Sequence, residues 1–294
     1  MSQPTILILG ANGQLGNECL DASSREPQWN IIGLGREELD LGNLEMIAEI
    51  LDDYKPDIVV NCAAYTAVDK AETEEELANV INGHAVGAIA DWTNDNDALL
   101  IQISTDYVFD GKATIPYNET HPTNPISVYG KSKLLGEKRA VAKDKDAVIL
   151  RTAWVYSEYG HNFVKTMLRL AGKKTSLKIV NDQIGSPTYA HDLAEGIFQV
   201  IRSYWSGDSS KDSVAGIYNF TNSGTTSWHG LASKIFEYSD IDIQTEAIPT
   251  IMFPTPAARP SYSVLNTEKF STKFKMEIPN WEDALRRCLR NMQL

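Results

Sequence analysis

Two side chains suited to proton transfer stand four residues apart in the stretch VYGKSKLLGEK, Val128 to Lys138. On a helix that spacing puts Tyr129 and Lys133 on one face, and Gly130 keeps the approach to the phenol open. A free phenol holds its proton to about pH 10, and a neighbouring ammonium lowers that value by roughly 1–3 units. Tyr129 would then donate a proton near neutrality. Spacing alone is better explained by an exposed aromatic beside a solvated lysine, so the pair needs a chemical context. A hydroxyl supplies part of it. The apolar run ALLIQIS leads into Thr105-Asp106-Tyr107, and in an open α/β sheet ligands and catalytic groups gather at the carboxyl ends of the strands. Thr105 could hydrogen-bond a substrate carbonyl whose oxygen Tyr129 protonates, beside a nicotinamide that supplies hydride.

The elements that would position these groups follow from alternation. TILIL (5–9), NIIGL (30–34), DIVVN (57–61), ALLIQIS (98–104) and AVILR (147–151) are short apolar runs of the kind buried on both faces of a parallel sheet. Helix-compatible segments separate them at 14–22, 43–54, 74–94 and 127–142. This pattern predicts an α/β fold, a Rossmann-type doubly wound parallel sheet. After about residue 155 the rhythm loosens, with helical segments near 162–172, 189–204, 227–238 and 281–292. A dinucleotide-binding domain over 1–155 is therefore expected, followed over 156–294 by a smaller, interleaved substrate lobe. Segments near 176–204 are expected to return to the first domain. SGDSSKDS (206–213) reads as a polar loop.

The first strand runs into GANGQLG. Gly10, Gly13 and Gly16, with Asn12, Gln14 and Leu15 between them, form a turn in which glycines permit close backbone approach and a helix N-terminus holds a pyrophosphate. A packing turn without ligand is the alternative. At the end of the second strand an acid would bind the ribose 2′-hydroxyl of NAD, whereas Arg36 stands in that region and suits a 2′-phosphate. NADPH is the expected cofactor and NADH remains open, since Glu37 and Glu38 follow and Arg36 could simply face solvent. Asp40 and Leu41 would flank the adenine. Ala63, Ala64 and Tyr65, after the third strand, would line the path of the cofactor.

Composition narrows the classes. The chain has 294 residues, 43% of them hydrophobic, and a formal net charge of −12. Such acidity argues against general nucleic-acid or anionic-membrane binding but leaves room for a small anionic ligand. Cys19, Cys62 and Cys288 form no paired or metal-binding motif, which fits a reducing cytosol. No apolar run approaches the ~20 residues of a membrane span, and the N-terminus lacks a signal-peptide pattern. The five histidines, His84, His121, His161, His191 and His229, show no metal-ligand spacing and read as structural.

The set GANGQLG, NCAAYTAVD, STDYVF, YGKSK, RTAWVY, NDQIGSPT and TPAARP resembles, in order and spacing, the dTDP-4-dehydrorhamnose reductase family of the extended short-chain dehydrogenase/reductase superfamily. The glycine turn and the Tyr–Lys pair mark the superfamily only; STDYVFDG, RTAWVY and NDQIGSPT narrow it. The resemblance implies reduction of the 4-keto group of dTDP-4-dehydro-L-rhamnose, with Thr105, Tyr129 and Lys133 as catalytic triad. It further implies that Asp69, Thr105, Asp106, Tyr107 and Trp154 meet the sugar, and that Arg259 meets the nucleotide diphosphate. Some relatives bridge a dimer through magnesium held near the first helix and the C-terminus. Glu18 fits the first position, but Asn291 stands where a carboxylate would be wanted, so no metal ligand is assigned, and both magnesium and the choice of monomer or homodimer stay open.

Three other readings compete. A 4,6-dehydratase would need an acid where Tyr107 stands. A nucleotide-sugar 4-epimerase would show the same triad. A non-catalytic cofactor-binding subunit would share the fold without the chemistry.

Overall fold

A computed structural model describes residues 3–206 and 210–292. The first half alternates β1 (Thr5–Leu9), α1 (Gln14–Ser23), β2 (Asn30–Leu34), α2 (Glu45–Tyr54), β3 (Ile58–Asn61), α3 (Ala85–Asp95), β4 (Leu99–Thr105), α4 (Val128–Lys143) and β5 (Val148–Thr152). The second half adds α5 (Phe163–Ala171), β6 (Ser176–Val180), α6 (Ala190–Trp205), β7 (Gly216–Asn219), α7 (Trp228–Tyr238), β8 (Gln244–Ile248), α8 (Glu268–Phe274) and α9 (Trp281–Asn291). The five apolar runs all form strands, within one residue of the expected ends.

Six parallel strands make the main sheet in the order β7-β5-β4-β3-β1-β2, so chain direction across the sheet reverses beside β1. A crevice at such a reversal is where an open α/β sheet binds its ligand. Both faces are covered, as continuous apolar strands require. Leu15 and Cys19 of α1, Leu193 and Ile197 of α6 and Phe270 and Phe274 of α8 close one face. Ile47 and Leu51 of α2, Ile89 of α3 and Ala140 of α4 close the other. A third core gathers Val164 and Met167 of α5, Leu177 and Ile179 of β6, Leu231 and Ile235 of α7, and Leu285 and Leu289 of α9. There β6 pairs in parallel with β8.

Three expectations need adjustment. Of the segment near 176–204, only α6 packs against α1 and the main sheet; β6 sits in the third core, because its buried residues face α5 and α7. The sixth sheet strand, β7, is the four-residue run GIYN and too short to stand out in the sequence. Within SGDSSKDS, 207–209 lie outside the described residues, and Lys211–Val214 form a helical turn rather than loop.

The helix expected over 74–94 is interrupted by a π turn, Val80–His84. It carries Asn82, whose amide accepts from Tyr65 N at 2.8 Å and donates to Tyr65 O at 3.0 Å and Ser132 Oγ at 2.9 Å. The strand 3 loop is thereby clamped to α4. Gly136 permits that approach, since a Cβ there would lie 2.1 Å from the Asn82 carbonyl oxygen.

A buried ion pair fastens α4 to the sheet. Arg151 of β5 donates to Glu137 through Nε at 2.9 Å and Nη2 at 2.6 Å, and Ser104 of β4 donates to the same carboxylate at 2.5 Å. Both charged side chains are 3% exposed. Removing one partner strands a charge in the interior, so Glu137→Ala is expected to lower stability by roughly 3–5 kcal/mol. Urea denaturation would measure it, and a joint replacement of Glu137 and Arg151 by apolar residues should recover much of the loss.

Candidate active site

The turn between β1 and α1 is built for close approach. Gly10 has φ +78°, and a Cβ there would lie 2.7 Å from the Ala63 backbone; one at Gly16 would lie 2.2 Å from the Gly10 carbonyl oxygen. Gly13 N-caps α1 with no side-chain hydrogen bond, so the first-turn N–H groups are not capped by the chain itself. These groups suit a phosphate, whose charge the helix dipole also favours. The turn opens on a cleft of about 700 Å³ at the carboxyl ends of the strands. Gly10, Asn12, Gly13, Gln14 and Leu15 line it, as do Arg36, Asp40, Leu41, Ala63, Ala64 and Tyr65. Gly16 lies behind the turn, where its role is packing.

Thr105, Tyr129 and Lys133 line the same cleft. Thr105 ends β4, while Tyr129 and Lys133 lie in the first turns of α4, whose N-cap Ser127 accepts from Gly130 N at 3.1 Å. Gly130 itself serves contact rather than access: a Cβ there would lie 2.2 Å from the Tyr107 carbonyl oxygen, so only glycine lets α4 seat against the end of β4. The Thr105 hydroxyl donates to Asp106 Oδ1 at 3.0 Å. Tyr107 meets Tyr129 edge to face at 5.6 Å.

The electrostatics differ from the expectation that Lys133 lowers the Tyr129 pKa. Burial raises the phenol to about 12, and the Thr105 hydroxyl offsets part of that rise. Lys133 is 4% exposed and donates to the Ile103 carbonyl at 2.6 Å. Burial pulls its ammonium down to about 8, with Glu137 opposing. Desolvation thus outweighs pairing for both groups. Asp106, also buried, is raised by desolvation to about 6, and among the described residues its Oδ2 has no hydrogen-bond partner.

Several expected contacts take other partners. Arg36 is exposed and bonds Asp40 Oδ2 at 3.2 Å, so the two proposed cofactor ligands hold each other. Asp69 and Arg259, 190 residues apart, form a forked pair at 3.0 and 2.9 Å. Neither lines the large cleft; Arg259 lines a second cavity of about 400 Å³. A diphosphate would have to compete with the Asp69 carboxylate for that guanidinium. Glu18 is buried and accepts from Ser157 Oγ at 2.6 Å, with His191 Nδ1 at 3.3 Å. Asn291 donates to Glu158 at 3.2 Å and to the Tyr189 hydroxyl at 2.9 Å.

Trp154 lines the cleft with Asp106 and Tyr107. The sequence reading missed Thr152, Ala153 and Val155 around it, although they lie in RTAWVY at the end of a recognised strand. It also missed Leu193 and Trp228, which come from α6 and α7 and carried no local signal.

The chain matches the family model described as the RmlD substrate binding domain over residues 4–294. It is 42% identical to a dTDP-4-dehydrorhamnose reductase of Burkholderia thailandensis, over 98% of each chain. Its structure is similar, with a TM-score of 0.92 and 36% identity, to the dTDP-4-dehydrorhamnose reductase of Bacillus anthracis crystallised with NADP, covering 99% of this chain and 100% of that one. A UDP-glucose 4-epimerase of Thermus thermophilus, 18% identical and with a TM-score of 0.81 over 98% and 99% of the two chains, shares the fold. Matched by the family model along almost its whole length, and more than a third identical end to end to these reductases, the chain belongs to the dTDP-4-dehydrorhamnose reductase family.

Proposed function

We propose that the chain reduces the 4-keto group of dTDP-4-dehydro-L-rhamnose to give dTDP-L-rhamnose, with NADPH as the reductant. The observation that carries this reading is convergence: Thr105, Tyr129 and Lys133 meet in one cleft with the uncapped start of α1. The Bacillus anthracis relative, crystallised with NADP, supports the choice of cofactor. NADPH bound along the glycine turn supplies the hydride. Tyr129, protonated throughout the neutral range, donates a proton to the carbonyl oxygen as negative charge develops there, and Thr105 hydrogen-bonds the same oxygen. Lys133, charged below about pH 8, lines the same cleft and adds positive potential there that favours the anion formed on transfer. Asp106 and Tyr107 shape the sugar pocket. Tyr107 stands where a dehydratase needs an acid, and burial holds its phenol well above the usual range, so it binds rather than titrates. Arg259 is the neighbouring anion-binding point, where a diphosphate displaces the Asp69 carboxylate from the guanidinium. On this reading 1–155, with α6 and β7, serve the cofactor, and the remaining chain serves the nucleotide sugar.

Three outcomes test it. Purified protein given the keto sugar and NADPH should consume NADPH and form dTDP-L-rhamnose; Tyr129→Phe should cut kcat by at least ~10²-fold with NADPH binding retained. Tightly bound NAD in the purified protein, with interconversion of 4-epimers and no net NADPH loss, would instead identify an epimerase.

The second outcome is pH dependence. Because the Lys133 ammonium is held down at about 8, charge is present below that pH and lost above it. The kcat/KM for NADPH, which reports the free enzyme, should therefore fall above about pH 8, and Lys133→Arg should move that fall to higher pH.

The third concerns Arg36, which the Asp40 carboxylate already engages at an exposed site. Arg36→Ala should weaken NADPH by about tenfold or less and leave NADH nearly unchanged, while Asp40→Asn should tighten NADPH. Equal losses for both cofactors in Arg36→Ala would remove Arg36 from the 2′-phosphate site.

A further inference from the structure

Trp154 has φ +48°, a left-handed conformation that costs a bulky residue energy and persists only where the surroundings impose it. Three contacts do so. Its indole lies flat on that of Trp228, with centroids 3.6 Å apart and planes 7° from parallel. One edge abuts Gly185, where a Cβ would lie 2.6 Å from the ring. Its carbonyl accepts from Thr188 N at 3.2 Å.

Trp228 is fixed in turn. The short antiparallel pairing of Thr226 and Ser227 with Gly185 and Ile184 sets it beside the glycine, and its Nε1 donates to Gln183 Oε1 at 3.0 Å. Phe163 packs on it at 4.7 Å. At 3.6 Å the two indoles admit nothing between them, so Trp154 has one free face to offer the cleft. Trp228 also lines the second cavity and stands as a shared wall between the two spaces.

We propose that Trp228 is a positioning residue for the sugar: it backs Trp154 so that a single indole face, fixed in place, meets the C–H face of the sugar ring. The inference rests on the reading of the cleft as a nucleotide-sugar site. Flat aromatic surface against C–H groups is effective when the ring is already immobile, because no rotamer freedom is then lost on binding. Without Trp228 the strained Trp154 would relax into the vacated space, and the two cavities would join.

Kinetics and spectroscopy test this separately. Trp228→Ala should raise KM for the keto sugar about tenfold or more, with kcat changed far less and NADPH affinity retained, the pattern of lost uniform binding. Gly185→Ala, whose methyl would meet the Trp154 ring, should reproduce that effect, and Trp228→Phe should recover most of the affinity. The stacked indoles should give an exciton signal in circular dichroism that Trp154→Phe and Trp228→Phe each abolish. That signal should survive dTDP-L-rhamnose binding, because the ligand uses the outer face. An unchanged KM in Trp228→Ala, or loss of the signal when the product binds, would overturn the proposal. An unchanged KM in Trp154→Ala would overturn it too and would also remove the sugar from that ring. Wild-type turnover tests the reductase reading by itself, and the exciton signal tests the stack without turnover.

Discussion

The buried pair between Glu137 and Arg151 is the interaction on which the geometry of the cleft depends. It joins the middle of α4 to β5, and Ser104 brings β4 into the same cluster. Tyr129 and Lys133 lie two turns and one turn, respectively, before Glu137 on that helix, while Thr105 follows Ser104 on its strand. Fixing α4 therefore fixes the relation between the phenol, the ammonium and the hydroxyl. Close approach completes the fit: Gly130 seats against the Tyr107 carbonyl and Gly136 against the Asn82 carbonyl, where any side chain would push the helix away. A buried ion pair contributes little net stability once its desolvation is counted. Its value here is that only one placement of the helix satisfies the charge.

That placement has an electrostatic consequence. Seating α4 tightly takes Lys133 and Tyr129 out of water, which disfavours the charged form of each. The phenol keeps its proton and the ammonium holds its own less firmly. Both shifts suit a donor that must release its proton only when an oxyanion forms nearby. Asp106, raised by the same burial, adds a third group whose charge depends on what fills the cleft.

The second half of the chain closes the cleft from the other side and does so through contacts of large sequence separation. Arg259 grips Asp69, and α7 carries Trp228 to Trp154. None of these partners announces the other locally. The interleaving of α6 and β7 with the first sheet makes the two halves one packed body, so the walls of the cleft are held by the same cores that stabilise the fold.

The sequence by itself determined the strands, the glycine turn and the four-residue spacing of Tyr129 and Lys133. Continuous apolar runs can be buried only in a doubly covered sheet, and a turn or an i,i+4 pair is read from neighbours in the chain. Gly10, Asn12, Gly13, Gln14 and Leu15 line one cleft with Thr105, Tyr129 and Lys133. Tertiary structure alone decided how those groups are tuned and what stands opposite them. Burial, a property of the packed whole, reversed the expected shift of Tyr129 and left Lys133 on the Ile103 carbonyl. Partners far apart in sequence decided the rest: Asp40 engages Arg36 within one turn, but Asp69 with Arg259, and Trp154 with Trp228, meet only because the two halves fold around each other. Local spacing fixes which face a side chain shares with its neighbours, while solvent exclusion and distant contacts exist only once the chain is packed.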